Sequence, residues 1–102
     1  MSFAESWNWL RTKRRWNLTT AHRIPLTVTV SAESIKFESP NAQVRYLSKD
    51  VFEKWFHLWF DKGIRKSADF RNQTGERSKA ENIRLAKRVF KLISEHEADV
   101  IS

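Results

Sequence analysis

The most apolar stretch of the chain is VFEKWFHLWF, residues 51–60. At 3.6 residues per turn, four of its aromatic residues form one continuous stripe, Phe52, Trp55, Phe56 and Trp59. Ser48 precedes the stretch as an N-cap, and Lys62 and Gly63 follow it with a cation and a residue that tolerates the left-handed conformation. The pattern predicts a central helix that is covered on most of its sides.

Residues 24–47 show the two-residue period of β-strands instead. The predicted apolar face consists of Leu26, Val28, Val30, Ile35, Phe37, Val44 and Tyr46. Pro40 and Asn41 suit the second and third positions of a turn at residues 39–42. Three strands joined by short turns predict an antiparallel meander, with the central helix over its apolar face. Residues 16–23 lack a clear period, which indicates a connection that can include an edge strand.

Amphipathic helices are predicted at both ends of the chain. The first runs from Phe3 to about Arg15 and has a capping box in Ser2 and Glu5. The last follows a second capping box, Ser78 and Glu81. Its apolar stripe consists of Ile83, Ala86, Phe90 and Ile93. The helices and the meander together predict an α+β fold.

Two segments have weaker patterns. Residues 64–77 are polar apart from Phe70, which predicts a loop with at most a short helical turn. The acidic residues of 95–102 would place negative charge at the C-terminal end of a helix, where the helix dipole is already negative. We therefore expect this tail to fray. No repeat or linker divides the sequence, and residues 1–102 therefore predict one compact domain.

Composition narrows the class of protein. The 102 residues include five Trp, seven Phe and one Tyr, enough for a core that stands on packing alone. There is no cysteine, which excludes a disulfide framework and a thiolate metal site. No apolar run reaches the roughly 20 residues of a membrane span. We therefore expect a cytoplasmic protein without a membrane span and without a cofactor.

The net charge of +7 is divided unevenly along the chain. Residues 1–25 hold five Lys or Arg and one acid, residues 62–93 hold ten and three, and the middle is nearly neutral. Basic residues gathered in this way are typical of a surface that binds polyanions. The alternative interpretation of the same pattern is an ordinary solvated basic surface.

Three basic segments are the candidate nucleic-acid-binding residues. They are Arg11, Lys13, Arg14 and Arg15; Lys62, Arg65, Lys66, Arg71 and Arg77, with the amides of Asn72 and Gln73; and Arg84, Lys87, Arg88 and Lys91. The last four recur at spacings of three and four, which places them on one helix face. Cations contact phosphates, and Arg, Asn and Gln also suit the edges of bases.

Duplex DNA is favoured over RNA as the partner. An antiparallel sheet can stack unpaired bases on exposed aromatic rings, but the alternation places Phe37 and Tyr46 on the covered face. The sequence thus predicts a DNA-binding domain that has no catalytic residues.

Two other functions stay open. A protein–protein interaction module, such as an adaptor, an inhibitor or a subunit, would explain the many tryptophans, since Trp and Arg are enriched at interface hot spots. A small metal-dependent nuclease would need convergent carboxylates near a lysine. Glu33, Lys36 and Glu38, with Asp50, are the candidate set. Alternating charges on an exposed strand are the more ordinary interpretation of these residues.

Overall fold

The computed structural model describes residues 2–20, 22–74 and 80–101, and this part of the chain has an α+β fold of four helices and four strands. The elements in chain order are α1 (Phe3–Lys13), β1 (Arg15–Thr19), β2 (Pro25–Val30), β3 (Ser34–Glu38), β4 (Arg45–Ser48), α2 (Lys49–Phe60), α3 (Ser67–Thr74) and α4 (Ala80–Ile101). None of the described helices is long and apolar enough to cross a bilayer.

The sheet is an antiparallel meander in the order β1-β2-β3-β4, so the described sheet has one strand more than the three predicted. The added strand is β1, which pairs with β2 from Arg15 opposite Thr29 to Thr19 opposite Pro25. Its inward residues are half-buried, in keeping with an edge position. The sequence signal was weak because two apolar residues in five positions define no period.

Strand β4 turns its side chains the opposite way from the prediction. Leu47 pairs with Ile35 and is buried, whereas Tyr46 is 63% exposed and Val44 is 41% exposed. The assignment of Val44 and Tyr46 to the apolar face is therefore wrong. Successive side chains alternate between the two faces of the sheet, so a shift of one residue in the pairing register exchanges the buried and the exposed side chains of the whole strand. The pairing of Leu47 with Ile35 decides which face is buried.

Helix α2 is the centre of the core, as predicted. Phe52, Trp55 and Phe56 are at most 2% exposed. The Ser48 hydroxyl caps the helix by accepting a hydrogen bond from the Val51 N–H at 3.3 Å. After the helix, Gly63 adopts a φ of +67°, which glycine tolerates without steric cost.

The two terminal helices pack against α2. Phe3 and Trp7 of α1 contact Phe52, with ring centroids 6.3 and 5.8 Å away. Phe90 of α4 stacks on the same ring at 4.9 Å. The predicted capping box of Ser2 and Glu5 is present, although α1 ends at Lys13, two residues before the expected boundary. The other predicted cap, Ser78, lies outside the described residues.

Helix α4 continues to Ile101, through the tail for which fraying was predicted. His96 stacks on Trp9 with ring centroids 3.8 Å apart and planes 8° apart, and Ile93 is fully buried beside it. An aromatic pair contributes about 0.5–1.5 kcal/mol beyond its buried area. That gain matches or exceeds the roughly 0.3–1 kcal/mol of an unfavourable charge at an exposed helix end.

Residues 67–74 form the two turns of α3, more helix than the predicted loop allowed. Phe70 holds this helix in place because its side chain is fully buried and meets Trp55 edge to face at 6.3 Å. The sequence showed that Phe70 is a buried anchor. It did not show that Phe70 packs on Trp55, the contact that makes the segment helical.

Candidate nucleic-acid interface

A groove of about 500 Å³ lies between the first three turns of α4 and one end of the sheet. Its other walls are the β1–β2 connection, from Thr20 to Ile24, and the β3–β4 turn around residues 39–43. Among the described residues, five cations line it, Arg45, Arg84, Lys87, Arg88 and Lys91, against one carboxylate, Glu81. We call this feature the basic groove.

Helix α4 supplies four of these cations because of its amphipathic pattern. Ile83, Ala86 and Phe90 are fully buried against the core, which leaves the 84, 87, 88 and 91 positions at the edge of the groove. Glu81 lies 3.7 Å from the guanidinium of Arg84, whose side chain is 71% exposed. An exposed pair of this kind contributes at most about 1 kcal/mol, so it leaves the groove strongly positive.

Lys87 is in the most positive surroundings of the four. Burial lowers the pKa of its ammonium group, and the charges of Lys91, Arg65 and Arg84 lower this pKa further. Its Nζ donates a hydrogen bond to the Ser67 hydroxyl at 3.0 Å and lies 5.5 Å from the centre of the Phe70 ring. A cation whose charge is disfavoured by other cations is stabilised when an anion binds nearby.

Arg45 and Arg88 belong to opposite walls of the groove, Arg45 to β4 and Arg88 to α4. Arg45 pairs with Phe37 across β3 and β4, which puts it on the inner, helix-covered face of the sheet. Within the described ranges, the buried Nε of Arg88 has no hydrogen-bond partner. An unsatisfied buried donor costs about 1–3 kcal/mol.

One part of the second basic segment, Arg65, lies near the groove. Arg65 lies close enough to affect Lys87, but its guanidinium stacks on Trp59 at 3.8 Å and donates to the Trp59 carbonyl at 2.7 Å. Lys62, Lys66, Arg71 and Asn72 are exposed and are not among the residues that line the groove. The side chain of Gln73 and the whole of Arg77 lie outside the described part of the chain.

The first basic segment lies away from the groove. Lys13 is 5.0 Å from the centre of the Trp16 ring, Trp16 packs on Trp9 at 4.8 Å, and Trp9 stacks on His96. None of the described residues 11–15 lines the groove. The exposed cations of this segment, Arg11, Lys13, Arg14 and Arg15, therefore do not join the α4 cations in one concave site.

Arg15 also lies on the other side of the sheet. It pairs with Thr29, which pairs with Lys36, which pairs with Tyr46, and this row forms part of the outer face. Arg45 belongs to the neighbouring row on the inner face. The two arginines are thus separated by the sheet itself.

Sequence reasoning missed Arg45 as a groove residue. The signal that could have found it was the pairing of Leu47 with Ile35, because an inward Leu47 requires an inward Arg45 two residues earlier. It also missed the contribution of the β1–β2 connection, including His22 and Ile24. Nothing in their local pattern relates them to α4, which follows more than fifty residues later.

The residues behind the two alternative functions have ordinary structural contacts. Lys36 and Glu38 form an exposed ion pair at 3.3 Å, and within the described ranges no group of three or more His, Asp or Glu is placed to hold a metal ion. The rings of Trp9 and Trp16 are half-buried on each other, and Trp16 Nε1 donates to the Leu10 carbonyl at 2.9 Å.

Comparisons of the chain with models of protein families, with curated proteins and with solved structures gave no match. The function of this protein is therefore inferred from the basic groove and from its chemistry.

Proposed function

We propose that this domain binds nucleic acid through the basic groove and does so without catalysis. The observation that carries the proposal is the charge of the groove, in which, within the part of the chain that the structure describes, five cations from β4 and α4 meet one carboxylate. A concave wall concentrates the field of such a cluster and attracts polyanions. The energetic gain comes chiefly from the counterions that the phosphates release on binding.

The state of Lys87 supports the same proposal. Burial and three neighbouring cations lower its pKa, so the free protein holds this charge at a cost. A surface that served solubility alone would spread its cations, since like charges at close range are destabilising. Phosphates in the groove would offset the repulsion between these cations.

Which nucleic acid the groove binds is a separate question from whether it binds nucleic acid at all. The preference for duplex DNA relied on Tyr46 lying on the covered face of the sheet, and Tyr46 is 63% exposed on the outer face. That particular argument against RNA no longer holds. We therefore keep duplex DNA, single-stranded DNA and RNA as parallel arms of the binding experiment.

The test is a fluorescence-anisotropy titration of labelled DNA and RNA at a low and a moderate salt concentration. We expect binding at low salt that weakens steeply as salt rises. The groove variant Arg84→Gln/Lys91→Gln changes two exposed side chains and should bind more weakly to every nucleic acid. The control Arg11→Gln/Lys54→Gln removes the same charge from exposed positions outside the groove.

Two results would contradict the proposal. One is the lack of binding to any of the nucleic acids at low salt. The other is an equal loss of affinity in the groove variant and in the control, since that would show that the position of the charges does not matter.

The absence of catalysis is tested separately with supercoiled plasmid and Mg²⁺ or Mn²⁺. We expect the plasmid to stay intact. Cleavage that disappears in the Glu38→Ala variant would instead assign a metal-dependent nuclease activity to the carboxylates near Lys36.

A further inference from the structure

We propose that the occupant of the basic groove is an unpaired stretch of nucleic acid, with a base against the apolar floor and its phosphates on the cationic wall. The inference rests on the proposed function and adds the class of ligand. Three features carry it, namely the concave shape of the site, the apolar surface inside it and the arrangement of cations along α4.

The concave shape argues against a base-reading contact with duplex DNA. A helix that reads a duplex must project into a major groove about 12 Å wide. The four α4 cations instead line a cavity whose other walls are the β1–β2 connection and the β3–β4 turn. A single strand can enter such a groove because it bends freely and has no second strand to place.

The inside of the groove is apolar, which phosphates alone do not require. Leu26, Phe37 and Leu85 form its floor and are themselves buried. Ile24 forms part of the wall and is 44% exposed, so it adds accessible apolar surface to the groove. A volume of about 500 Å³ falls in the range of small-molecule sites and suits a nucleotide base with its sugar.

Polar groups able to contact a base edge lie at the mouth. The exposed amides of Asn41 and Gln43 line the β3–β4 turn, and amides both donate and accept hydrogen bonds. The Ala42 N–H donates to the Ser39 carbonyl at 3.3 Å and Asn41 has a φ of +60°, so the turn that carries them has a defined shape.

The cations form a row rather than a point. From Arg84 to Lys91 the row extends about 10 Å along α4, at 1.5 Å per residue. Sites that hold single strands without strict sequence preference combine a positively charged groove with aromatic rings for the bases, and Phe37 is the aromatic residue of this floor.

The experiment compares four probes on the full chain: a short single-stranded oligonucleotide, its blunt duplex, an abasic strand with the same number of phosphates, and the free mononucleotide. We expect the single strand to bind at least about tenfold more tightly than both the duplex and the abasic strand, since a stacked base contributes a factor of that order. The mononucleotide should compete weakly.

A groove-filling variant links this preference to the site. Ala42→Leu adds bulk to an exposed residue of the groove wall, removes no cation and adds no aromatic ring on which a base could stack. The matched control Ala32→Leu makes the same change at an exposed position between β2 and β3, at the other end of the sheet. We expect Ala42→Leu to reduce the preference for the single strand and Ala32→Leu to retain it.

The outcomes separate the inference from the proposed function. Equal binding of single strand, duplex and abasic strand, with weakening by Arg84→Gln/Lys91→Gln, would overturn the inference and leave nucleic-acid binding in place. A mononucleotide that binds as tightly as the strand would also overturn it, since the occupant would then be a free nucleotide. Failure of all four probes to bind at low salt would overturn both.

Discussion

Arg45→Gln gives the sharpest test of the groove, because Arg45 comes from the sheet and the other four cations come from α4. Each phosphate contact on a single strand contributes about 0.7 to the slope of log K against log salt concentration. Full use of all five cations predicts a slope of about −3.5. Removal of one contact should reduce it to about −2.8 and weaken binding about fivefold in 0.1 M salt.

The assay is an anisotropy titration of a labelled single strand at four or more salt concentrations, with a thermal melt to verify folding. Lys54→Gln is the matched control, since it removes one charge from an exposed position of α2 that does not line the groove. Arg45 is half-buried beside Phe37, and glutamine keeps a polar end there although its side chain is shorter.

An unchanged slope in a folded Arg45→Gln protein would refute the argument. It would mean that α4 alone contacts the phosphates and that the two walls of the groove do not share a ligand. The same slope change in Lys54→Gln would show that net charge, rather than the groove, controls the salt dependence.

Two more predictions follow from Lys87 and Ser48. Burial and neighbouring cations lower the pKa of Lys87. At a pH below this lowered pKa the charged Lys87 destabilises the fold, so the free energy of unfolding should rise as the pH increases from the lowered pKa to the pKa that Lys87 has in the unfolded chain. Bound phosphates raise this pKa again, so affinity should fall over the same alkaline window, and less so in Lys87→Arg; titrations from pH 7 to 10.5 measure both. Ser48→Ala removes the cap of α2 and should cost about 1 kcal/mol, a fall of about 4–8 °C in melting temperature, whereas Ser94→Ala inside α4 should cost little.

The sequence predicts the elements that depend on strong local signals. The stripe of residues 51–60 and the cap at Ser48 fix α2, and the capping box of Ser2 and Glu5 fixes the start of α1. The turn at residues 39–42 has Pro40 and the positive φ of Asn41 where they were expected. In each of these cases, residues within one turn or one hairpin determine the conformation.

Long-range pairing accounts for what the sequence did not predict. The face of β4 depends on which residue meets Ile35, and the continuation of α4 past residue 95 depends on Trp9, more than eighty residues earlier. The basic groove has the same origin. The spacing on α4 predicted its four cations as one face, but Arg45 and the wall at Ile24 become neighbours of that face only in the folded chain.

The aromatic core connects the two walls of the groove. Phe90 of α4 packs on Phe52 of α2, and α2 begins directly after β4, the strand that carries Arg45. A change in this packing would shift the α4 cations relative to Arg45 without touching either wall. The arrangement explains how so apolar a helix as α2 contributes to a charged site: it holds at a fixed separation two sets of cations that repel each other.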